Sequence, residues 1–126
     1  MSGLTIHRMQ EAINRHDLDA FVACFAPDYR SEQPAHPGRA FAGPDTVRMH
    51  WSNFFARMPD FRADVLRATG DGAEEWAEWR WRGTLANGAC WEARGVVIQG
   101  VRDGLVRWAR IFMEPLEEES TVHRVG

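Results

Sequence analysis

The sequence predicts an α+β fold in which three N-terminal helices pack against a strongly curved, mostly antiparallel sheet, forming a cone with an apolar cavity. Three observations predict it. The last third of the chain holds three aromatic-rich runs, residues 74–85, 90–102 and 105–114, separated by Asn87-Gly88 and Asp103-Gly104. Both dipeptides suit tight hairpin turns whose central residues take positive φ, so the runs read as a long antiparallel meander. Helix-spaced segments precede the meander rather than alternating with it. Finally, six Trp and seven Phe stand against one Tyr, and rings of that size either fill a core or line a cavity.

The elements follow in order. Leu4, Ile6, Met9, Ala12 and Ile13 recur at near-helical spacing, which predicts an amphipathic helix over residues 4–16. Asp17 suits the cap of a second helix over residues 18–25, because its carboxylate can accept backbone N–H bonds there. Pro27 just beyond suits a stop signal. Residues 29–33 alternate as a short strand. Residues 34–43, with Pro, Gly, His36, Arg39 and Phe41, read as a loop, the kind of segment that often carries function. Pro44 opens a third helix with Val47, Trp51, Phe54 and Met58 along one face, and Pro59 ends it. Residues 61–69 form the next strand, and Gly70-Asp71-Gly72 turns the chain into the meander. Residues 1–116 make one domain, and the polar, patternless residues 117–126 are expected to be a flexible tail.

Composition narrows the function. A net charge of −3, with cations spread among acids rather than clustered, gives no electrostatic basis for nucleic-acid binding. Cys24 and Cys90 are too few for a disulfide framework and lie outside any CxxC pattern, so both are expected to be buried free thiols. No apolar run approaches the length of a membrane span. The N-terminus lacks the basic-then-apolar pattern of a signal peptide. A soluble cytoplasmic protein is expected, with no membrane partner.

Strand side chains alternate faces, so the meander can be sorted by parity. Ala77, Trp79, Trp81, Gly83 and Leu85 share an apolar face, as do Trp91, Ala93, Gly95, Val97 and Gln99, and then Ala109, Ile111 and Met113. The other face mixes charges with Val96, Ile98, Trp108 and Phe112, and Val106 falls there too. Solvent rarely meets so many large apolar groups together. An isologous homodimer through that outer face would bury them; scattered surface aromatics on a monomer are the plainer alternative.

Residues 16–29, His-Asp-Leu-Asp-Ala-Phe-Val-Ala-Cys-Phe-Ala-Pro-Asp-Tyr, resemble the helix-to-strand signature of the nuclear transport factor 2-like superfamily. Gly43-Pro44-Asp45, Met58-Pro59-Asp60-Phe61, Arg82-Gly83-Thr84 and the segment from Val101 to Trp108 match in order, and the resemblance is closest to the SnoaL-like branch. It implies the cone fold and says little about chemistry, because isomerases, cyclases, dehydratases, epoxide hydrolases and binding proteins share it. The ketosteroid isomerase arrangement would put its carboxylate base at Gln33 and its oxyanion donors at Met9 and Val97, none of which can do that work. The Asp–Arg–Asp arrangement of limonene epoxide hydrolase would fall on Trp79, Trp81 and Ile111, none of which can titrate.

The resemblance implies which polar residues reach the cavity: Tyr29, Ser31, Gln33, His36, Arg39, His50, Asn53 and Gln99. Among apolar residues it implies Phe54, Trp79, Trp81, Trp91, Val97, Ile111 and Met113 as substrate contacts. His50 is the candidate base, since histidine titrates nearest neutrality, with Tyr29 or Gln33 hydrogen-bonding a substrate oxygen. A packing histidine beside Trp51 explains the same residue without chemistry. His36 and His50 have no metal-ligand spacing, so no metal and no cofactor are expected. Two functions follow from different classes. One is a cofactor-independent enzyme acting on a hydrophobic, polyketide- or terpenoid-like small molecule; the other is a non-catalytic binding or accessory protein.

Overall fold

The computed structural model describes residues 4–117. The flexible tail expected over residues 117–126 lies almost wholly outside them. The helices are α1 (Thr5–Asn14), α2 (Leu18–Val22) and α3 (Pro44–Arg57), with a 3-10 turn at Pro37–Arg39. The strands are β1 (Phe25–Glu32), β2 (Phe41–Ala42), β3 (Arg62–Gly70), β4 (Glu74–Thr84), β5 (Cys90–Arg102) and β6 (Leu105–Pro115). They form one curled six-stranded sheet in the order β2-β1-β6-β5-β4-β3, parallel only where β1 meets β6. The sheet does not close on itself; β2 and β3 remain its edges.

The amphipathic stripe of α1 lands as its spacing predicts: Ile6, Met9, Ala12 and Ile13 are buried with Phe21, Phe61 and the inner residues of the sheet. Its polar side does structural work too. Gln10 Oε1 accepts from Val65 N at 2.6 Å, and the Asn14 side-chain amide exchanges two hydrogen bonds with the Ala63 backbone. Edge strand β3 thus has backbone groups covered by side chains of α1 instead of being left open to another strand. Asp17 caps α2, accepting from Ala20 N at 3.0 Å.

Several boundaries differ from expectation for identifiable reasons. Helix α2 ends at Val22, and Pro27 lies inside β1 rather than beyond a helix. The β1–β6 register is irregular between Phe25 and Arg30. A residue without N–H is tolerated at such a break. The supposed loop contains β2, whose Phe41 pairs with Ser31 of β1. Cys24 is buried as expected, but Cys90 is exposed because it starts β5 directly after a hairpin.

Asp103 and Gly104 both take positive φ, as a two-residue hairpin loop with matching twist requires. At Asn87-Gly88 only Gly88 does, and the loop is longer, closed by Gly88 N donating to Leu85 O. Parity fails once. Val106 was expected on the outer face but is fully buried, because the β5–β6 register slips between Gly100 and Val101. That bulge gives β6 one extra residue and turns Val106 inward. Trp108 lies flat across Gly100: a Cβ there would meet the indole at 2.0 Å, so only glycine lets the ring approach.

Candidate functional site

A cavity of about 270 Å³ sits between the helices and the inner face of the sheet. Its floor comes from β4, β5 and β6, through Trp79, Trp81, Trp91, Ala93, Val97, Gln99, Ala109, Ile111 and Met113. Parity sorted these residues to one face, and the pleat delivers them there. The helical wall is Met9 and Ile13 of α1, Phe21 of α2, and Val47, His50, Trp51 and Phe54 of α3. Positions 47, 50, 51 and 54 form one stripe of a 3.6-residue helix. Trp51 stands edge-on to Trp81, Phe54 and Phe61 at centroid distances of 5.2, 5.1 and 5.6 Å, a web that stiffens the wall. Strand β1 and the loop after it add Tyr29, Ser31, Gln33, Arg39 and Phe41.

Of the residues implied from sequence, Tyr29, Ser31, Gln33, Arg39, His50, Phe54, Trp79, Trp81, Trp91, Val97, Gln99, Ile111 and Met113 line this cavity together. Two do not. Asn53 lies off the α3 stripe and is exposed. His36 precedes the 3-10 turn, which directs its ring to the end of β6, where Nε2 meets Glu114 Oε2 at 2.7 Å. Sequence reasoning also overlooked Phe41, whose ring packs edge-on against His50 at 5.2 Å and contacts Tyr29 at 6.1 Å, bridging the two. Its signal was weak, since two residues of strand inside a Pro-rich segment leave no periodicity to read.

The polar groups differ in what they can do. Burial pushes the Tyr29 phenol up to about 12. Tyr29 is therefore a neutral hydrogen-bonding group and not a base. Ser31 Oγ and Trp81 Nε1 are buried and without any hydrogen-bond partner among the described residues. Buried polar atoms are rarely left so, and both belong to side chains that line the cavity. Gln99 is 1 % exposed, and its Nε2 donates to Glu75 Oε1 at 3.3 Å. That bond turns the amide carbonyl away from the carboxylate, as charge repulsion demands.

Glu75 was missed altogether, although it shares the parity of Ala77 and Trp79. Its Oε2 accepts from Thr5 N at 2.9 Å and its Oε1 from Ile6 N at 3.0 Å. Helix α1 has no side-chain cap of its own and no acid in its first turn. A carboxylate from β4 takes that place, where helix N–H groups favour negative charge.

The lining contains no Asp or Glu, and Arg39 is its one Arg. Among the described residues no group of three or more His, Cys, Asp or Glu is placed to hold a metal ion, and no helix is long and apolar enough to cross a membrane.

Fold and cavity together define a helix-covered curled sheet with an aromatic-lined cavity between its layers. The family model described as SnoaL-like domain matches residues 6–111, and the chain belongs to that family. No functionally curated protein matches it in sequence. Among solved structures it is similar to IdmH from Streptomyces antibioticus, a proposed polyketide cyclase. That match has 23% identity and a TM-score of 0.72, and covers 88% of each chain. It is also similar to an epoxide hydrolase of the LEH-like type from M. tuberculosis (16% identity, TM-score 0.73, 87% of this chain and 80% of that one). A further Mycobacterium tuberculosis protein, solved in complex with estradiol-17beta-hemisuccinate, shares 16% identity over 92% of each chain at a TM-score of 0.72. Identities this low establish the common fold.

Proposed function

We propose that the protein is a cofactor-independent enzyme of the cyclase, isomerase or hydrolase type, acting on a small hydrophobic, polyketide- or terpenoid-like molecule. One observation carries the reading: an aromatic-walled cavity is lined both by one candidate base, the exposed His50, and by the buried hydroxyls of Tyr29 and Ser31. His50 takes the proton, and Tyr29 or the free amide of Gln33 donates to the substrate oxygen. The aromatic walls hold the reactive conformer, while His50 itself remains exposed to solvent. The chamber lies near the lower end of the ~300–1,000 Å³ typical of ligand pockets, which favours ligands of about two fused rings.

The probe reaction is ring opening of 5-nitrobenzisoxazole, a flat molecule whose C–H proton goes to a base as its N–O bond breaks, releasing a coloured phenolate. The protein is expected to accelerate it, and His50→Ala to slow it by about a hundredfold or more, the lower range of general-base contributions. An unchanged rate in His50→Ala, with the same affinity for a naphthyl ligand, favours the second reading, a non-catalytic binding protein. That reading draws support from the lack of a lining carboxylate to orient His50.

The outer sheet face fits a homodimer. Trp76 and Ile98 are directly paired across β4 and β5, and Val96 and Phe112 across β5 and β6, in adjacent rows. Trp76 is 46% and Phe112 37% exposed. Facing a second copy would cover this patch. Sedimentation is expected to give a dimer, and Phe112→Glu a monomer with an unchanged circular dichroism spectrum. A monomeric parent protein at about 0.1 mM, ample for a stable interface, would remove the proposal.

A further inference from the structure

Resting on the small-molecule reading above, we infer that the cavity takes apolar ligands that carry a carboxylate, with the head group held at the mouth by Arg39. The charge of the site is one-sided: no acid lines it, and Arg39 supplies its one permanent charge. Many arginines elsewhere find acids: Arg48 meets Asp19 at 2.8 Å, Arg107 meets Asp28 at 2.7 Å and Arg110 meets Glu32 at 3.0 Å, while Arg8, Arg30, Arg57 and Arg102 form no such pair among the described residues but do not line this cavity. Among the described residues Arg39 has no such partner. Its Nη1 donates to the neutral Gln33 Oε1 at 3.1 Å, which fixes the side chain at the rim and leaves the rest of the guanidinium fork open. Glu114 meets His36 at 2.7 Å rather than Arg39. A planar fork with open donors matches a carboxylate by two parallel hydrogen bonds, and an aromatic interior matches an apolar body. An amphipathic acid satisfies both ends of the site; a cationic head group would be repelled by Arg39.

The test compares 2-naphthoic acid with its neutral counterpart 2-naphthylmethanol, followed by quenching of the cavity tryptophans. The acid is expected to bind about fivefold tighter than the alcohol at low salt, the scale of one partly screened ion pair. Arg39→Gln should abolish that preference while leaving the alcohol unchanged within about twofold, and Arg39→Lys should restore part of it. Raising salt to about 0.5 M should weaken the acid alone. If the alcohol binds but the acid has no advantage, or Arg39→Gln keeps that advantage, the head-group assignment is overturned and the small-molecule reading stands. If neither probe binds, the small-molecule reading itself falls and takes the assignment with it.

Discussion

Glu75→Ala should lower the thermal midpoint by about 10–20 °C, from a loss of about 3–5 kcal/mol. One carboxylate, 3% exposed, accepts from Thr5 N, Ile6 N and Gln99 Nε2. Removing it leaves three donors without their partner where water has little access. Each buried orphan costs about 1–3 kcal/mol. Thr5 N and Ile6 N belong to the first turn of α1, which has no other cap, so that helix should fray first. Glu75→Gln should fall between the two proteins, because its amide keeps one acceptor oxygen but sets an NH₂ against a backbone N–H. Melting followed by far-ultraviolet circular dichroism reads both variants. A midpoint within about 2 °C of the parent for Glu75→Ala would mean that the carboxylate bears almost none of this load.

That residue also marks where the sequence stops being readable. The meander was legible because two periodicities coincide: alternation along β4, β5 and β6 puts every second residue on one face, and turn dipeptides divide the runs. Trp79, Trp81, Val97, Gln99 and Met113 therefore reached the cavity floor as expected. Glu75 obeys the same alternation, but its partner is the N-terminus of a helix seventy residues away in sequence, and such pairing leaves no local trace. Val106 shows the converse. Alternation is a rule about unbroken ladders, and one inserted residue inverts it.

The helical side was legible in proportion to its stripe. On α3 the spacing placed Trp51 and Phe54 inward and allowed His50 beside them, while Asn53 was assigned by its chemistry against its position and points to solvent. The Pro-rich segment was hardest. A 3-10 turn and a two-residue strand are fixed by tertiary contacts, so His36 turned to Glu114 and Phe41 turned inward with nothing in the composition to announce either. Arg39 was placed at the cavity by the family resemblance. Its isolation from acids is a property of the folded arrangement.

Between pH 10 and 12 the native protein should lose about 3 kcal/mol of stability through Tyr29 alone. The phenol is 2% exposed, and burial pushes it from 10 up to about 12. In the unfolded chain the proton leaves near 10; in the folded one it is held until about 12. The stabilising difference is therefore fully present below pH 10 and disappears as the pH climbs through the folded value. Two features of composition make this measurable. The chain has one Tyr, so tyrosinate absorbance reports a single site, and all fifteen Lys-plus-Arg positions are Arg, so no lysine titrates in the same window. Absorbance is expected to rise near pH 12 in the native protein and near pH 10 after denaturation. Tyr29→Phe should show a flatter stability profile across that interval. A native rise coincident with the denatured one would place the hydroxyl in water and remove this stability difference.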